Sequence, residues 1–253
     1  MATTEIQSSI NQISEIQAIT MKDNYLNFAT NAETGNGGLI ALFQKGASAP
    51  YVPLYGYRIN IDDFITMVSY PGVMQWQLRF GYTPAESSPD PQEGSYLQLI
   101  MTGTDNNGNP MTPHFQPSQQ IETQPTFNPS AGNGDFKNHQ VPAILEGQWQ
   151  AAYSNLLSNN EMNTSFMLAP DRSQRPLNGY NMDLRDFIND LFMLNMDDTS
   201  AFVDIILVNH ARAVESGQQN NTPGKIGIVL QVYASPNNSL NYYDISKPCP
   251  PTC

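Results

Sequence analysis

The amino-acid sequence predicts an α+β fold in which a tandem duplicated αβαββ unit packs as a pseudo-twofold pair. One observation is a repeated segment, because GYRINIDDFI from Gly56 and GYNMDLRDFI from Gly179 share five of ten positions. A second is that similar helical and apolar segments flank both copies in the same order. A third is the alternation of apolar and polar residues in VMQWQLRFGY, which is typical of a half-buried strand. A single irregular α+β domain without internal symmetry is the alternative.

The pattern divides the chain into four parts. The first repeat unit covers residues 13–111 and the second covers residues 141–235. Residues 112–140 are rich in Pro, Asn and Gln, and we interpret them as a linker or surface excursion outside the core. Residues 236–253 form a C-terminal tail.

Each unit is predicted to begin with an amphipathic helix followed by a short buried strand. Apolar residues recur every three or four positions in ISEIQAITMKDNYLNF and in VPAILEGQWQAAYSNL, which is the spacing of one helix face. The apolar runs GLIALF and SFMLAP come next. Their length and composition indicate buried strands.

The repeated segment itself predicts a second helix in each unit. Asn60 and Asp183 are candidate caps for these helices. Phe64 and Phe187 lie on the apolar faces, and we expect both side chains to be buried. Two further strands then complete each unit, in VMQWQLRFGY and YLQLIMTG for the first and in AFVDIILVNH and GKIGIVLQVYA for the second.

The charge balance disfavours several classes of partner. The chain has 11 Lys and Arg against 23 Asp and Glu, which gives a net charge of −12, so it repels nucleic acids and anionic membranes. No segment approaches the roughly 20 apolar residues that span a bilayer. The N-terminal segment MATTEIQSSINQ lacks the features of a secretory signal peptide. We therefore expect a soluble cytoplasmic protein, with export by a signal-independent route left open.

Motifs for catalysis, metal binding or cofactor binding are missing from the sequence. It contains no HExxH, CxxC, GxSxG, GxxxxGK[ST] or GxGxxG pattern, so no catalytic residue, cofactor or metal site is predicted. Asp62 and Asp63 stand in the first turn of a predicted helix, where negative charge favours the helix dipole. Trp76 and Trp149 lie on apolar faces, which favours core packing over stacking on a ligand.

The C-terminal tail holds the candidate interaction residues, which are Tyr242, Tyr243, Ile245, Cys249 and Cys253. Its prolines favour an extended path, and such a segment can dock along a sheet edge or in a groove. We expect it to dock on the second unit or on an adjacent subunit. The two cysteines could chelate a metal or close a small disulfide, or they could be incidental thiols of a tail.

Several of these segments resemble a loosely defined family of small uncharacterised bacterial proteins. The similar segments are DDFITMV, GVMQWQLRFGY, YLQLIMTGTDNNGNPM and the tail PCPPTC. The resemblance covers residues 13–111, the tail and, more faintly, residues 141–235. This chain differs from the family in having two copies of the unit and a long linker. It implies the helix-strand-helix-strand-strand unit. The family has no established activity, so the resemblance implies no catalytic residues.

These observations together favour a non-enzymatic protein. We expect a structural or partner-binding protein that acts through its surfaces, as a component of a larger assembly, with another protein or a second copy of the chain as its partner. The alternative is an enzyme that binds a small molecule or metal in the cleft between the two units.

Overall fold

The computed structural model of the chain confirms an α+β fold. It describes residues 8–32, 38–45, 51–84, 96–125, 140–159, 162, 164–168, 175–182, 184, 187–188, 201–210, 225–235, 238–243 and 246–249. The helices are α1 (Glu15–Asn31), α2 (Ile61–Val68) and α3 (Ala143–Ser158), with short 3-10 helices at Leu39–Leu42 and Thr164–Met167. The strands are β1 (Ile10–Ile13), β2 (Gln44–Lys45), β3 (Val52–Pro53), β4 (Gly56–Asn60), β5 (Gln75–Gly81), β6 (Gln98–Thr104), β7 (His114–Pro117), β8 (Gln119–Ile121), β9 (Gln140–Val141), β10 (Gly179–Met182), β11 (Phe202–His210), β12 (Lys225–Ser235), β13 (Asn238–Tyr243) and β14 (Ser246–Cys249). Among the described helices, none is both long and apolar enough to cross a membrane.

Two six-stranded antiparallel sheets form the body of the fold. Sheet 1 has the strand order β1-β7-β6-β5-β10-β14, and sheet 2 has the order β8-β4-β11-β12-β13-β9. We call residues 8–125 the N-terminal half and residues 140–249 the C-terminal half. The N-terminal half supplies four strands of sheet 1 but sends β4 and β8 into sheet 2. The C-terminal half supplies four strands of sheet 2 but sends β10 and β14 into sheet 1. Each half therefore contributes to both sheets.

The strands of the two sheets correspond one to one. If β1, β7, β6, β5, β10 and β14 are matched with β9, β13, β12, β11, β4 and β8, the two strand orders are identical. The residue register agrees as well, since Tyr180 of β10 lies opposite Leu78 of β5, and Tyr57 of β4 lies opposite Ile205 of β11. Tandem duplication is our interpretation of this correspondence.

Glycines allow each exchanged strand to approach its neighbour closely. A Cβ atom built on Gly56 would collide with the backbone oxygen of Ile205, and one built on Gly179 would collide with that of Leu78. Gly179 also has a φ of 143°, which favours glycine. The glycine that opens each repeated segment is thus explained by close packing of strand on strand.

The largest hydrophobic cluster among the described residues draws on the inner faces of both sheets. Phe64 of α2 and Phe187 are both fully buried in it, which confirms the predicted burial. Their rings pack edge to face on each other with centroids 5.5 Å apart. Two residues at the same position of the repeated segment therefore meet where the two halves join.

Two tyrosines tie the long helices of one half to the other half. The Tyr25 hydroxyl of α1 donates a 2.7 Å hydrogen bond to the Leu177 carbonyl, and the Tyr153 hydroxyl of α3 donates a 2.8 Å bond to the Leu54 carbonyl. Burial raises the pKa of both tyrosines well above its usual value, so both stay protonated and remain donors. The bonds are reciprocal, and each crosses between the halves.

The predicted strands in GLIALF and SFMLAP are wrong, because most of the described residues of these runs belong to the 3-10 helices Leu39–Leu42 and Thr164–Met167. All four residues of the first helix are buried, so the core surrounds it on every side. A short apolar run without alternation cannot be assigned to strand or helix by periodicity. The structure decides in favour of tight turns that lie inside the core.

The predicted linker is also wrong for part of its length. Residues 114–121 form β7 and β8, and β7 alternates buried and half-buried side chains as a sheet strand does. Phe115 and Ile121 are buried, at 2% and 8% exposure. The frequent Pro, Asn and Gln residues concealed these strands, since only two apolar anchors remain to mark them.

The start of α2 is held in a different way from the predicted cap. Asn60 is the N-cap residue, but its side chain makes no capping bond. Instead the Asn60 backbone amide donates a 2.8 Å hydrogen bond to the Ser9 hydroxyl oxygen, and the Ser9 backbone amide and hydroxyl both donate 2.6 Å bonds to the Asp63 carboxylate. Asp63 therefore anchors the chain before β1, a structural role. The predicted cap Asp183 lies outside the described residues, although the 2.7 Å bond from Ile188 to Leu184 is helical.

Candidate functional site

Polar side chains form a lateral row across the outer face of each sheet. On β5, Trp76, Leu78 and Phe80 belong to the core, so Gln75, Gln77 and Arg79 point outward. The register extends this outer face to neighbouring strands. We define row 1 as Asn181 on β10, Gln77 on β5, Thr102 on β6 and His114 on β7.

The matched strands of sheet 2 carry the matched row. We define row 2 as Arg58 on β4, Asp204 on β11 and Gln231 on β12, which lie opposite one another in register. Each row contains a residue from an exchanged strand, Asn181 in one and Arg58 in the other. The same position of the fold therefore holds two different sets of polar groups.

An ion pair within the chain satisfies the charges of row 2. Arg58 binds both oxygens of Asp204, with its Nε 2.8 Å from Oδ1 and one Nη 2.9 Å from Oδ2. Asp204 is 1% exposed, and its burial raises the pKa of the carboxyl while the hydrogen bond from Arg58 opposes that shift. The Arg58 guanidinium also lies 3.5 Å from the ring centroid of Phe202, which stacks on Tyr233.

Basic groups collect around row 1. Arg79 donates hydrogen bonds to the Tyr180 carbonyl at 2.9 Å and to the Asn181 side-chain oxygen at 3.0 Å. Lys22 of α1 lies over the same face, and its pKa is lowered first by burial and then by the charge of Arg79. His114 shares a 2.6 Å hydrogen bond with Thr102 through Nδ1.

Lys22 interacts electrostatically with both of the other basic groups. Burial lowers the pKa of His114 and the charge of Lys22 lowers it further, while Glu15 acts in the opposite direction. Glu15 and Asp23 likewise raise the pKa of Lys22, but they do not outweigh burial and Arg79. Lys22 is therefore influenced by positive charge from Arg79 and by negative charge from Asp23 and Glu15.

Row 1 lacks the carboxylate that row 2 contains. Gln77 lies opposite Asn181 of β10, and Asp204 lies opposite Arg58 of the matching strand β4. A neutral amide thus occupies in sheet 1 the place that an acid occupies in sheet 2. Gln77, Lys22 and His114 are half-buried, and so each keeps some contact with solvent.

A buried acidic residue, Glu146, belongs to α3. Glu146 is fully buried and accepts a hydrogen bond from the Gln150 side-chain amide, yet its Oε2 atom has no hydrogen-bond partner among the described residues. Burial raises the pKa of Glu146 to about 8. Glu146 lies two helical turns before Tyr153 in α3, and Ala18 lies two turns before Tyr25 in α1. Ala18 is fully buried, as Glu146 is. The two helices therefore differ at a matched buried position.

The largest exposed apolar side chains include a matched pair. Ile16 and Ile144 are each the second residue of their helices, α1 and α3, and they are 78% and 71% exposed. Met74 is 64% exposed near the start of β5. Isolated exposed apolar residues are common, so only the matching of the two isoleucines is notable.

The predicted tail residues are only partly within the described structure. Tyr242 and Tyr243 belong to β13, where Tyr242 lies opposite Val141, and Cys249 belongs to β14, opposite Gly179. The tail backbone thus adds one strand to each sheet, as docking along a sheet would require. Ile245 and Cys253 lie outside the described residues. An interaction role for these five residues stays a prediction.

Sequence reasoning did not identify the basic groups around row 1 as a set. The alternation in β5 indicated that Gln77 and Arg79 share the polar face, but Asn181 reaches them from the other half of the chain. His114 was assigned to the predicted linker. In the part of the chain that is described, no three His, Cys, Asp or Glu residues are grouped so that they could hold a metal ion.

In comparisons with known proteins, no family model, no curated protein and no solved structure matches this chain. The resemblance to small bacterial proteins therefore stays an expectation. Any function must be argued from the surfaces of the chain itself.

Proposed function

We propose that this is a non-enzymatic binding protein, a component of an assembly, and that the outer face of sheet 1 binds an acidic group of a protein partner. The observation that carries the proposal is geometric, since Arg79 and His114 belong to β5 and β7 of the same sheet. The Met21 carbonyl, next to Lys22 in α1, accepts a 2.9 Å hydrogen bond from the Tyr82 backbone amide at the end of β5. The whole chain has a net charge of −12, so three neighbouring basic groups are a local exception. A carboxylate that binds there would offset the repulsion between Lys22 and Arg79.

The matched row of sheet 2 supports a carboxylate as the ligand. Asp204 supplies that group from within the chain and binds Arg58 through two hydrogen bonds. Gln77 occupies the corresponding place in row 1 and has no charge. A carboxylate from a partner would therefore bring to the outer face of sheet 1 a negative charge that Gln77 does not supply, at the place where Asp204 supplies one in sheet 2.

The basic residues have different access to such a partner. Lys22 and His114 are half-buried, whereas Arg79 is 6% exposed and its bonds to Tyr180 and Asn181 hold it in place. Lys22 is the group that would contact the carboxylate, with Arg79 as a fixed positive charge behind it. Partly buried charge pairs are stronger than exposed ones because water screens them less.

The structure gives less support to an enzyme site between the two repeat units. The rings of Phe64 and Phe187 occupy that interface, and the Tyr25 and Tyr153 hydroxyls are bonded to backbone carbonyls across it. These groups pack and hold the halves together. A binding role at the outer surface therefore agrees better with the described residues than a cleft between the units.

Fluorescence anisotropy with two labelled peptides tests the proposal. A short polyglutamate peptide should bind the protein, and a polyglutamine peptide of equal length should not. Substituting Lys22→Gln should weaken polyglutamate binding about tenfold, because one charge-assisted contact is lost. Thr20→Gln is the control, since it introduces the same residue at another position of α1 and leaves the charge unaltered.

Two results would contradict the proposal. One is equal binding of both peptides, which would show that negative charge is not recognised. The other is polyglutamate binding that Lys22→Gln leaves unchanged, which would place any acidic ligand elsewhere on the protein.

A further inference from the structure

The exchange of strands between the two halves is more extensive than shared packing. Strand β4 pairs with β11 over five residues and also carries β8 on its other side. Strand β10 pairs with β5 over four residues and carries β14 on its other side. Two strands of each sheet therefore depend on the opposite half of the chain.

Neither half has a closed core without the other. Removing the C-terminal half would leave β5 with an unpaired edge and would expose Phe64, which packs on Phe187. Removing the N-terminal half would leave β11 with an unpaired edge and would expose Phe187. An exposed sheet edge beside an apolar core is a surface on which another strand can pair.

We infer that each half is an obligate subunit whose binding surface fits the opposite half, and that a second copy of this chain can supply that half. The chain is then a fused form of a strand-exchanged dimer. Two chains that trade halves would form an intertwined dimer with the same contacts as the single chain. This inference rests on strand order and register, and it does not depend on the proposed acidic ligand.

The connection between the halves makes the inference testable. It leaves sheet 2 at β8 and returns at β9, which are the opposite edges of that sheet. Five strand spacings separate them, a distance of about 24 Å. Deleting residues 126–139 would leave only residues 122–125 to join Ile121 to Gln140, a reach of at most about 19 Å.

The deletion should therefore prevent the two halves of one chain from pairing with each other. We expect the variant lacking residues 126–139 to form a dimer, with twice the particle mass of its control by light scattering after gel filtration. The control replaces residues 126–139 with a Gly/Ser segment of equal length, and its mass should equal that of the parent protein. A deletion variant that keeps the control's particle mass and circular dichroism spectrum would overturn the inference.

A second measurement decides the matter if the deletion variant does not fold. A protease site placed within residues 126–139 of the full chain allows the folded protein to be cut between its halves. The two pieces should then stay together in native buffer with the mass of the uncut chain and separate only in denaturant. Separation of the pieces in native buffer would overturn the inference. The Lys22→Gln variant should give the same particle masses as the parent in both experiments. A failure of the acidic-ligand proposal can therefore be distinguished from a failure of this inference.

Discussion

Replacing Glu146 with Gln changes one fully buried group and keeps its shape. Burial raises the pKa of Glu146 from 4.5 to about 8, so the folded protein holds a proton that the unfolded chain has lost at neutral pH. The Gln150 amide can still donate to the side-chain oxygen of Gln at this position. The substitution therefore removes the titration while it preserves most of the packing.

The magnitude follows from the pKa difference between the folded and unfolded states. The stabilising effect of a raised carboxyl pKa is complete below the unfolded value of 4.5 and is lost as the pH rises towards about 8. Each unit of pH in that window costs the native protein about 1.4 kcal/mol. Glu146→Gln should thus be nearly neutral at about pH 4 and more stable than the parent by about 3 kcal/mol at about pH 7.

Urea unfolding followed by circular dichroism, repeated across this pH range, measures the effect. Glu15→Gln is the control, because it makes the same substitution at an exposed carboxyl in the first turn of α1. A stability difference between Glu146→Gln and the parent that stays constant from about pH 4 to about pH 8 would refute the reasoning. It would mean that the carboxyl is solvated in the native protein.

Three further predictions concern stability. Phe64→Ala and Phe187→Ala should each cost about 3–5 kcal/mol in urea unfolding, and the double variant should cost less than the sum because the two rings contact each other. Arg58→Gln should cost about 2–3 kcal/mol by the same assay, since it leaves the Asp204 carboxyl buried without its guanidinium, whereas Arg58→Gln with Asp204→Asn should recover part of that loss. Deleting residues 240–253 removes β14 and most of β13, and it should lower the melting temperature; an unchanged melting temperature would make the tail dispensable.

The sequence predicted those features of the fold that depend on residues close together in the chain. The helical spacing placed α1, α2 and α3, and the apolar stripe predicted the burial of Phe64 and Phe187. Strict alternation predicted β5 and its polar outer face. In each of these cases, one face of a single element carries the signal.

The exchange of strands could not be predicted in the same way. Gly56 pairs with Ile206, and Gly179 pairs with Arg79, so the partners are far apart in the chain. Short strands give no local sign of which sheet they join. Row 1 was missed because two of its members lie on strands that the sequence did not place. Asn181 lies on the exchanged strand β10, and His114 lies on β7, within the predicted linker.

The most direct test of binding at sheet 1 is a map of the ligand site by two-dimensional NMR of isotope-labelled protein. Adding the polyglutamate peptide should shift the signals of Lys22, Gln77, Thr102 and His114 together. The matched helix α3, which covers sheet 2, should show no such shifts at Ile144 or Gln148. Shifts confined to α3, or spread evenly over both outer faces, would contradict the claim that the outer face of sheet 1 is the binding surface.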